Sequence, residues 1–292
     1  MPTLQVASRI ALKNILLTTD FSETSSVAQP FAASLARTYG AELFVAHVLA
    51  PEPRLAVPTD RIPEEDDLHR ETAQGKLLDF VHKYVNTPCK TLLRQGDLGL
   101  VIAELVDENA IDLLVLGTHG RRGVPRLVLG SAAETIYRAA QCPVLTISPK
   151  VPLDGAKPWS IQRVLFPVDF TGDIDNALHF ALSFAEENQA RLILMHAAPM
   201  VPWQYRPDVE ERLKARLEGL IPAEAKDWCR LETLVNWDFP DEGILRVAEE
   251  READLIVMGV HRGRVGLTSH LPWPIASGVV SRAPCPVLTV RV

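Results

Sequence analysis

The sequence predicts an α/β protein built twice over, as two tandem domains, each a parallel sheet with helices on both faces. Three observations carry this. Short apolar runs alternate with segments of helical period, which is the pattern of a parallel sheet. The second half repeats the first motif by motif. A glycine-rich loop also joins an apolar run to a helix start, from Gly117 to Ser131.

The repeat is read directly from the residues. Ile15-Leu16-Leu17-Thr18-Thr19-Asp20-Phe21-Ser22 returns as Val164-Leu165-Phe166-Pro167-Val168-Asp169-Phe170-Thr171. Asp20 and Asp169 stand 149 residues apart, as do His47 and His196. Ile111-Asp112-Leu113-Leu114-Val115-Leu116-Gly117 returns as Ala253-Asp254-Leu255-Ile256-Val257-Met258-Gly259, and Cys142-Pro143-Val144-Leu145-Thr146 as Cys285-Pro286-Val287-Leu288-Thr289. A length of 292 residues suits two domains of about 150 residues, each large enough for its own core. The boundary is expected in the Pro- and Gly-rich stretch 148–158, giving domains 1–149 and 150–292.

In the first copy, Asn14 to Thr18 reads as a strand. Ser22 is a candidate N-cap, and Val27, Phe31 and Leu35 recur every four residues on one face of the next helix, which Gly40 ends. Leu43 to Val48 is the second strand. An acidic, proline-rich loop from Pro51 to Asp67 follows, long for a compact domain. A helix from about Leu68 to Tyr84 precedes a short strand near Thr91 to Arg94. Ile102, Leu105 and Val106 mark a third helix. Leu113 to Leu116 is a buried strand, and the glycine loop, a fourth helix and strand Val144 to Ile147 complete the unit.

The loop has the chemistry of an anion site. Glycines admit close backbone approach, and unpaired N–H groups at a helix start attract negative charge. Ser131 can cap the helix or offer its hydroxyl to a phosphate oxygen, and Arg121, Arg122 and Arg126 add positive charge. The same residues also fit a plain surface loop. The stretch lacks the Gly-Lys-Ser/Thr ending of a P-loop, and no Gly-x-Gly-x-x-Gly follows the first strand. Ligands of such sheets bind beyond the carboxyl ends of strands where strand order reverses. If the first and fourth strands are neighbours, Asp20 and the loop face one crevice. Asp20 could then hydrogen-bond a nucleoside; alternatively it caps the next helix, as Ser22 also can.

The spacing Gly-x2-Gly-x9-Gly-Ser, formed by Gly117, Gly120, Gly130 and Ser131, resembles the ATP-binding signature of the universal stress protein family. The Asp-Phe-Ser end of the first strand, the His-Val of the second and the Cys-Pro-Val-Leu run resemble the same family, and the likeness covers both halves. It implies five parallel strands in order 3-2-1-4-5 per domain. It implies ATP, with Mg2+ as a candidate companion, its adenine near Asp20 and the backbone around Val48. Its phosphates would be held by Gly117, Gly120, Gly130, Ser131 and the N–H of Ala132, with Leu116 and His119 in the same binding set. Thr18 departs from the proline usual there, which Pro167 keeps. The likeness also implies a pseudo-twofold pairing of the copies through Val144 to Ile147 and Val287 to Val290, with further dimerisation open.

The second copy departs at the phosphate end. Gly259 survives, but Arg262 replaces the second glycine, and Pro272-Trp273-Pro274 stands near the closing Gly-Ser. Prolines remove N–H donors, so one ATP per chain is expected, in the first domain. A ligand without a triphosphate stays open for the second.

Other classes find little support. A formal net charge of -7 and no basic stripe argue against nucleic acid. No apolar run approaches the ~20 residues that cross a bilayer, and Met1 to Arg9 lacks a leader pattern, so a cytoplasmic protein is expected. The four cysteines form no Cys-x-x-Cys pair, which excludes the common zinc and redox motifs; Cys142 and Cys285 are expected to be buried free thiols. The pairs His47/His196 and His119/His261 follow from duplication, and no metal-ligand spacing accompanies them. Trp203, Tyr205, Trp228 and Trp237 read as core or interface residues. Three functions remain: an ATP-binding stress or regulatory protein, a slow ATP-hydrolysing enzyme, and a nucleotide-free interaction module. No general base is legible beside the loop, which weighs against efficient hydrolysis.

Overall fold

The structure is a computed structural model that describes residues 10–51, 63–85, 87–118, 130–152, 159–170, 174–199, 207–260 and 273–291. In order, the elements of the first repeat are β1 (Asn14–Thr18), α1 (Glu23–Ser26), α2 (Gln29–Tyr39), β2 (Glu42–Leu49), α3 (Pro63–Tyr84), β3 (Cys89–Gln95), α4 (Leu98–Glu108), β4 (Leu113–Gly117), α5 (Ser131–Ala139) and β5 (Val144–Ile147). The second repeat follows with β6 (Arg163–Pro167), α6 (Asp175–Glu187), β7 (Arg191–Ala197), α7 (Pro207–Glu218), β8 (Arg230–Asn236), α8 (Pro240–Glu250), β9 (Leu255–Val260), α9 (Trp273–Arg282) and β10 (Val287–Arg291).

Two compact units divide the described chain. The first comprises 12–118 and 130–144, and the second chiefly 145–291. In the first, parallel strands run in the order β3-β2-β1-β4. In the second, β8-β7-β6-β9-β10 is the order 3-2-1-4-5 counted within the repeat, again parallel. β5 clusters with the second unit. There the Thr146 hydroxyl donates to the Val287 carbonyl at 3.1 Å, and the Ser148 hydroxyl to the Ala283 carbonyl at 2.6 Å.

Burial on both sheet faces explains why the strands read as unbroken apolar runs. Leu113, Leu114, Val115 and Leu116 are buried, as are Leu255, Ile256 and Val257. Phe31, Leu35 and Ala36 give α2 its buried face. Gly40 takes the left-handed conformation (φ 64°) that ends this helix, and Ala41 N–H then reaches the Ala36 carbonyl. Asp97 caps α4, its Oδ1 accepting from Leu100 N–H at 3.0 Å.

Several elements differ from the sequence reading. The single helix expected after Ser22 is two: Ser22 caps the short α1, and α2 restarts at Gln29 with a proline in its first turn. Pro30 has no N–H to continue an earlier helix but fits the start of a new one. α3 begins at Pro63 rather than near Leu68. Cys285 is buried as expected, whereas Cys142 is half-buried and Cys229 is the second buried thiol. Cys142 lies in the bend after α5, outside the packed strand that follows. Burial, reinforced by the nearby Asp254 carboxylate, pushes the Cys285 thiol far above its ordinary range. Of the residues read as core or interface, Trp228 is 39% exposed and so not core, and Trp203 and Tyr205 lie outside the described residues.

One clamp recurs in both repeats. Asp112, just before β4, accepts from the N–H groups of Lys13 and Asn14 on a single oxygen, at 2.7 and 2.9 Å. Asp254, just before β9, does the same for Gln162 and Arg163, both at 2.9 Å. Each carboxylate thereby ties the start of its strand to the start of the neighbouring one. We predict that Asp112→Ala and Asp254→Ala each destabilise the chain by about 1–3 kcal/mol, the cost of orphaned donors, measured by urea denaturation.

Candidate functional site

β1 and β4 lie side by side, with Ile15 opposite Leu113 and Leu17 opposite Val115. β2 flanks the other edge of β1, with Thr18 opposite Ala46. The chain therefore leaves β1 for β2 on one side, while β4 occupies the other. That is a strand-order reversal, where α/β sheets open a crevice at their carboxyl ends. The residues just past β1 and β4 are Thr19-Asp20-Phe21 and Thr118.

The glycine loop is clasped at its two ends. Gly130 N–H donates to the Thr118 carbonyl at 3.0 Å, so the start of α5 is drawn to the end of β4. Gly117 and Gly130, 13 residues apart in sequence, are brought to one place. Gly130 is the N-cap of α5 and supplies no capping side chain; Ser131 is the first helical residue and is exposed. The N–H groups of Ser131, Ala132 and Ala133 fall in the first turn, where no intrahelical acceptor exists. Gly130 has φ −60° and ψ 143°, an extended conformation open to any residue. Its lack of a Cβ therefore matters for space rather than for backbone strain. Leu116 is 2% exposed, so its side chain belongs to the core and only its backbone can face a ligand. Thr118 is fully buried. His119 and Gly120, both expected at the site, lie outside the described residues, as do Arg121, Arg122 and Arg126.

Asp20 is half-buried. Its Oδ1 accepts from Ser22 N–H at 3.0 Å and from the Ser22 hydroxyl at 2.5 Å. Ser22, not Asp20, caps the next helix, its Oγ accepting from Ser25 N–H at 3.0 Å. The carboxylate thus sits at the crevice with one oxygen tied to the turn. Val48, near the end of β2, is half-buried and paired with Arg94 of β3, two positions past Ala46, the partner of Thr18.

The sequence reading missed how this turn is held. Phe21 has a positive φ of 64°. Its N–H donates to the Thr19 hydroxyl at 3.0 Å, and that hydroxyl lies 3.0 Å from the Ser25 hydroxyl. The Phe21 ring packs on His47 with centroids 4.1 Å apart. His47 Nδ1 lies 2.7 Å from the Thr19 carbonyl oxygen. The signal was present, because Phe21 and His47 recur with Asp20 at the same spacing as Phe170, His196 and Asp169.

The second repeat keeps the Phe–His part of this turn, with Val168 and Ile174 where the first has Thr19 and Ser25, and changes the other end. Phe170 has φ 61°, its ring lies 4.7 Å from that of His196, and His196 Nδ1 is 2.7 Å from the Val168 carbonyl. Asp169 is exposed where Asp20 is half-buried. The Arg216 guanidinium lies over the Phe170 ring at 4.0 Å, whereas in the first repeat the Phe80 ring lies 6.3 Å from that of Phe21. Cys142 and Cys285 are 143 residues apart, and at that spacing Gly130-Ser131 correspond to Trp273-Pro274. α9 begins at Trp273, so proline stands where the first repeat offers the Ser131 N–H. Arg262 and Pro272 lie outside the described residues.

Among the described residues, no cluster of His, Cys, Asp or Glu could hold a metal ion. No described helix is long and apolar enough to cross a membrane.

Comparison with known proteins agrees with this architecture. The model of the universal stress protein family matches residues 11–148 and again 160–291. A universal stress protein of Mycolicibacterium smegmatis is 27% identical over 295 residues, covering 95% of this chain and 96% of its own. One from Methanocaldococcus jannaschii is 31% identical over 139 residues, 46% of this chain and 81% of its own. The crystal structure of a universal stress protein from Archaeoglobus fulgidus superposes with a TM-score of 0.70 at 21% identity, covering 95% of this chain and 96% of that one. With both repeats matched and nearly the whole chain covered, the protein belongs to the universal stress protein family.

Proposed function

We propose that the first repeat binds one molecule of ATP, and that occupancy regulates the protein's shape or its choice of protein partner. Asp20 and the backbone near Val48 take the nucleoside. Gly117, Gly120, Gly130, Ser131 and Ala132 take the phosphates, with Leu116 and His119 in the same set and Mg2+ as companion of the triphosphate. The observation that carries this reading is the clasp between Gly130 N–H and the Thr118 carbonyl. It supports a helix start, with first-turn N–H groups that have no intrahelical acceptor, close to the strand-order reversal where Asp20 stands. Fold alone would not support it, since this architecture serves many functions.

The reading is also asymmetric. Phosphate recognition needs several convergent donors, each worth roughly 1.5–3 kcal/mol when charge-assisted. The second repeat has Trp273-Pro274 at the corresponding helix start. Losing even two such bonds would move a micromolar site beyond easy detection. The second repeat then stabilises the protein and offers surface to partners.

Calorimetry on the intact chain tests this division. Asp20→Ala should weaken adenosine and ATP by a similar factor of about ten, the loss of one good hydrogen bond. Gly130→Ala and Ser131→Ala should weaken ATP by at least that factor and spare adenosine. Unchanged ATP affinity in a folded Gly130→Ala, Ser131→Ala double variant would remove the loop from the site.

Stoichiometry is a separate prediction. The full chain should bind ATP at one equivalent, and Asp169→Ala should leave that isotherm unchanged. Two equivalent sites, or loss of ATP heat in Asp169→Ala, would refute the asymmetry.

A further inference from the structure

We propose that His47 is a positioning residue: it sets the orientation of Asp20 by gripping the residue on either side of it. The inference takes from the proposed nucleotide reading what Asp20 does, and from the geometry how Asp20 is held. On one side is Thr19. Its carbonyl oxygen lies 2.7 Å from His47 Nδ1, and a carbonyl only accepts, so Nδ1 carries the proton and donates. On the other side is Phe21, whose ring packs on the same imidazole at 4.1 Å with planes 35° apart. Phe21 occupies the left-handed region, φ 64°, where a bulky residue is rare. Such a conformation persists only where the surroundings over-determine it. Here they are the His47 ring and the Thr19 hydroxyl, which accepts from Phe21 N–H at 3.0 Å. With both flanking residues fixed by one side chain, the backbone of Asp20 has little freedom left. Its Oδ1 is then set against Ser22.

The second repeat supplies an independent copy. His196 Nδ1 is 2.7 Å from the Val168 carbonyl, Phe170 has φ 61°, and the two rings lie 4.7 Å apart. That repeat has Trp273-Pro274 in place of Gly130-Ser131 and still keeps Asp169, Phe170 and His196. The grip therefore accompanies the carboxylate, not the glycine loop. It also gives a control, because His196 makes the same structural bond in the repeat whose phosphate end is lost.

The experiment uses the full chain with His47→Ala, His47→Asn, His47→Phe and His196→Ala, titrated with adenosine and with ATP by calorimetry. His47→Ala should weaken both ligands by the same factor, about tenfold, a typical coupling between residues in contact. His47→Asn keeps an N–H donor near Nδ1 and should recover more affinity than His47→Phe, which keeps only the ring. In an Asp20→Ala background, His47→Ala should cost less than a further twofold. His196→Ala should lower stability as His47→Ala does, yet leave both affinities unchanged. Unchanged affinity in folded His47→Ala, or losses that multiply with those of Asp20→Ala, would overturn the proposal. If His47→Ala fails to fold, the comparison of the Asn and Phe variants decides it. If the wild-type chain binds neither ligand, the nucleotide reading falls. Positioning is then judged by NMR: the Asp20 carboxyl 13C resonance should move in the His47 variants and not in His196→Ala, and a resonance that stays put overturns it.

Discussion

The site depends on one pairing, that of β1 with β4. Ile15, Leu16 and Leu17 lie opposite Leu113, Leu114 and Val115, strands far apart in sequence with β2, β3 and helices α1 to α4 between them. Asp112 secures the near end of this pair by accepting two N–H groups from the start of β1. At the far end the two strands part into different connections. That parting puts the turn after β1 and Thr118 at the same end of the sheet. Loss of the pairing would leave Asp20 and the helix start of α5 as unrelated surface features.

Two different kinds of order meet at that point. The turn after β1 is held by side chains: the His47 ring, the Thr19 and Ser25 hydroxyls and the capping Ser22. The helix start after β4 is joined to the strand end by a backbone bond, from Gly130 N–H to the Thr118 carbonyl. Backbone donors can be lost by a single change to proline, and the second repeat has proline there. The second repeat has lost hydroxyls as well, with Val168 and Ile174 at the positions of Thr19 and Ser25, yet Phe170 keeps its positive φ and its contact with His196.

The two repeats also differ in what surrounds the shared turn. In the first, Phe21 faces Phe80 of α3, and Asp20 is half-buried. In the second, Arg216 of α7 covers Phe170, and Asp169 is exposed. Both α3 and α7 follow stretches outside the described residues. The turn itself is set by short-range chemistry, while its lining comes from α3 in one repeat and α7 in the other.

Much of this was legible from residues alone. Apolar runs marked the strands because both faces of a parallel sheet are buried, so composition and position coincide. The duplication was visible because it needs only comparison of the chain with itself. Gly40, Ser22 and the Gly130-Ser131 pair were readable because helix ends demand particular residues. What the sequence could not decide was partnership across distance. It did not say that Pro30 would split one helix into two, since a proline fits both a kink and a fresh start. It did not show that Cys142 would stay half-buried while Cys229 became core. It named His47 and His196 but not the carbonyls they bind, because a hydrogen bond to the backbone leaves no residue type to recognise. Those outcomes depend on which strands pair and which turn faces which ring, and only the tertiary structure settles that.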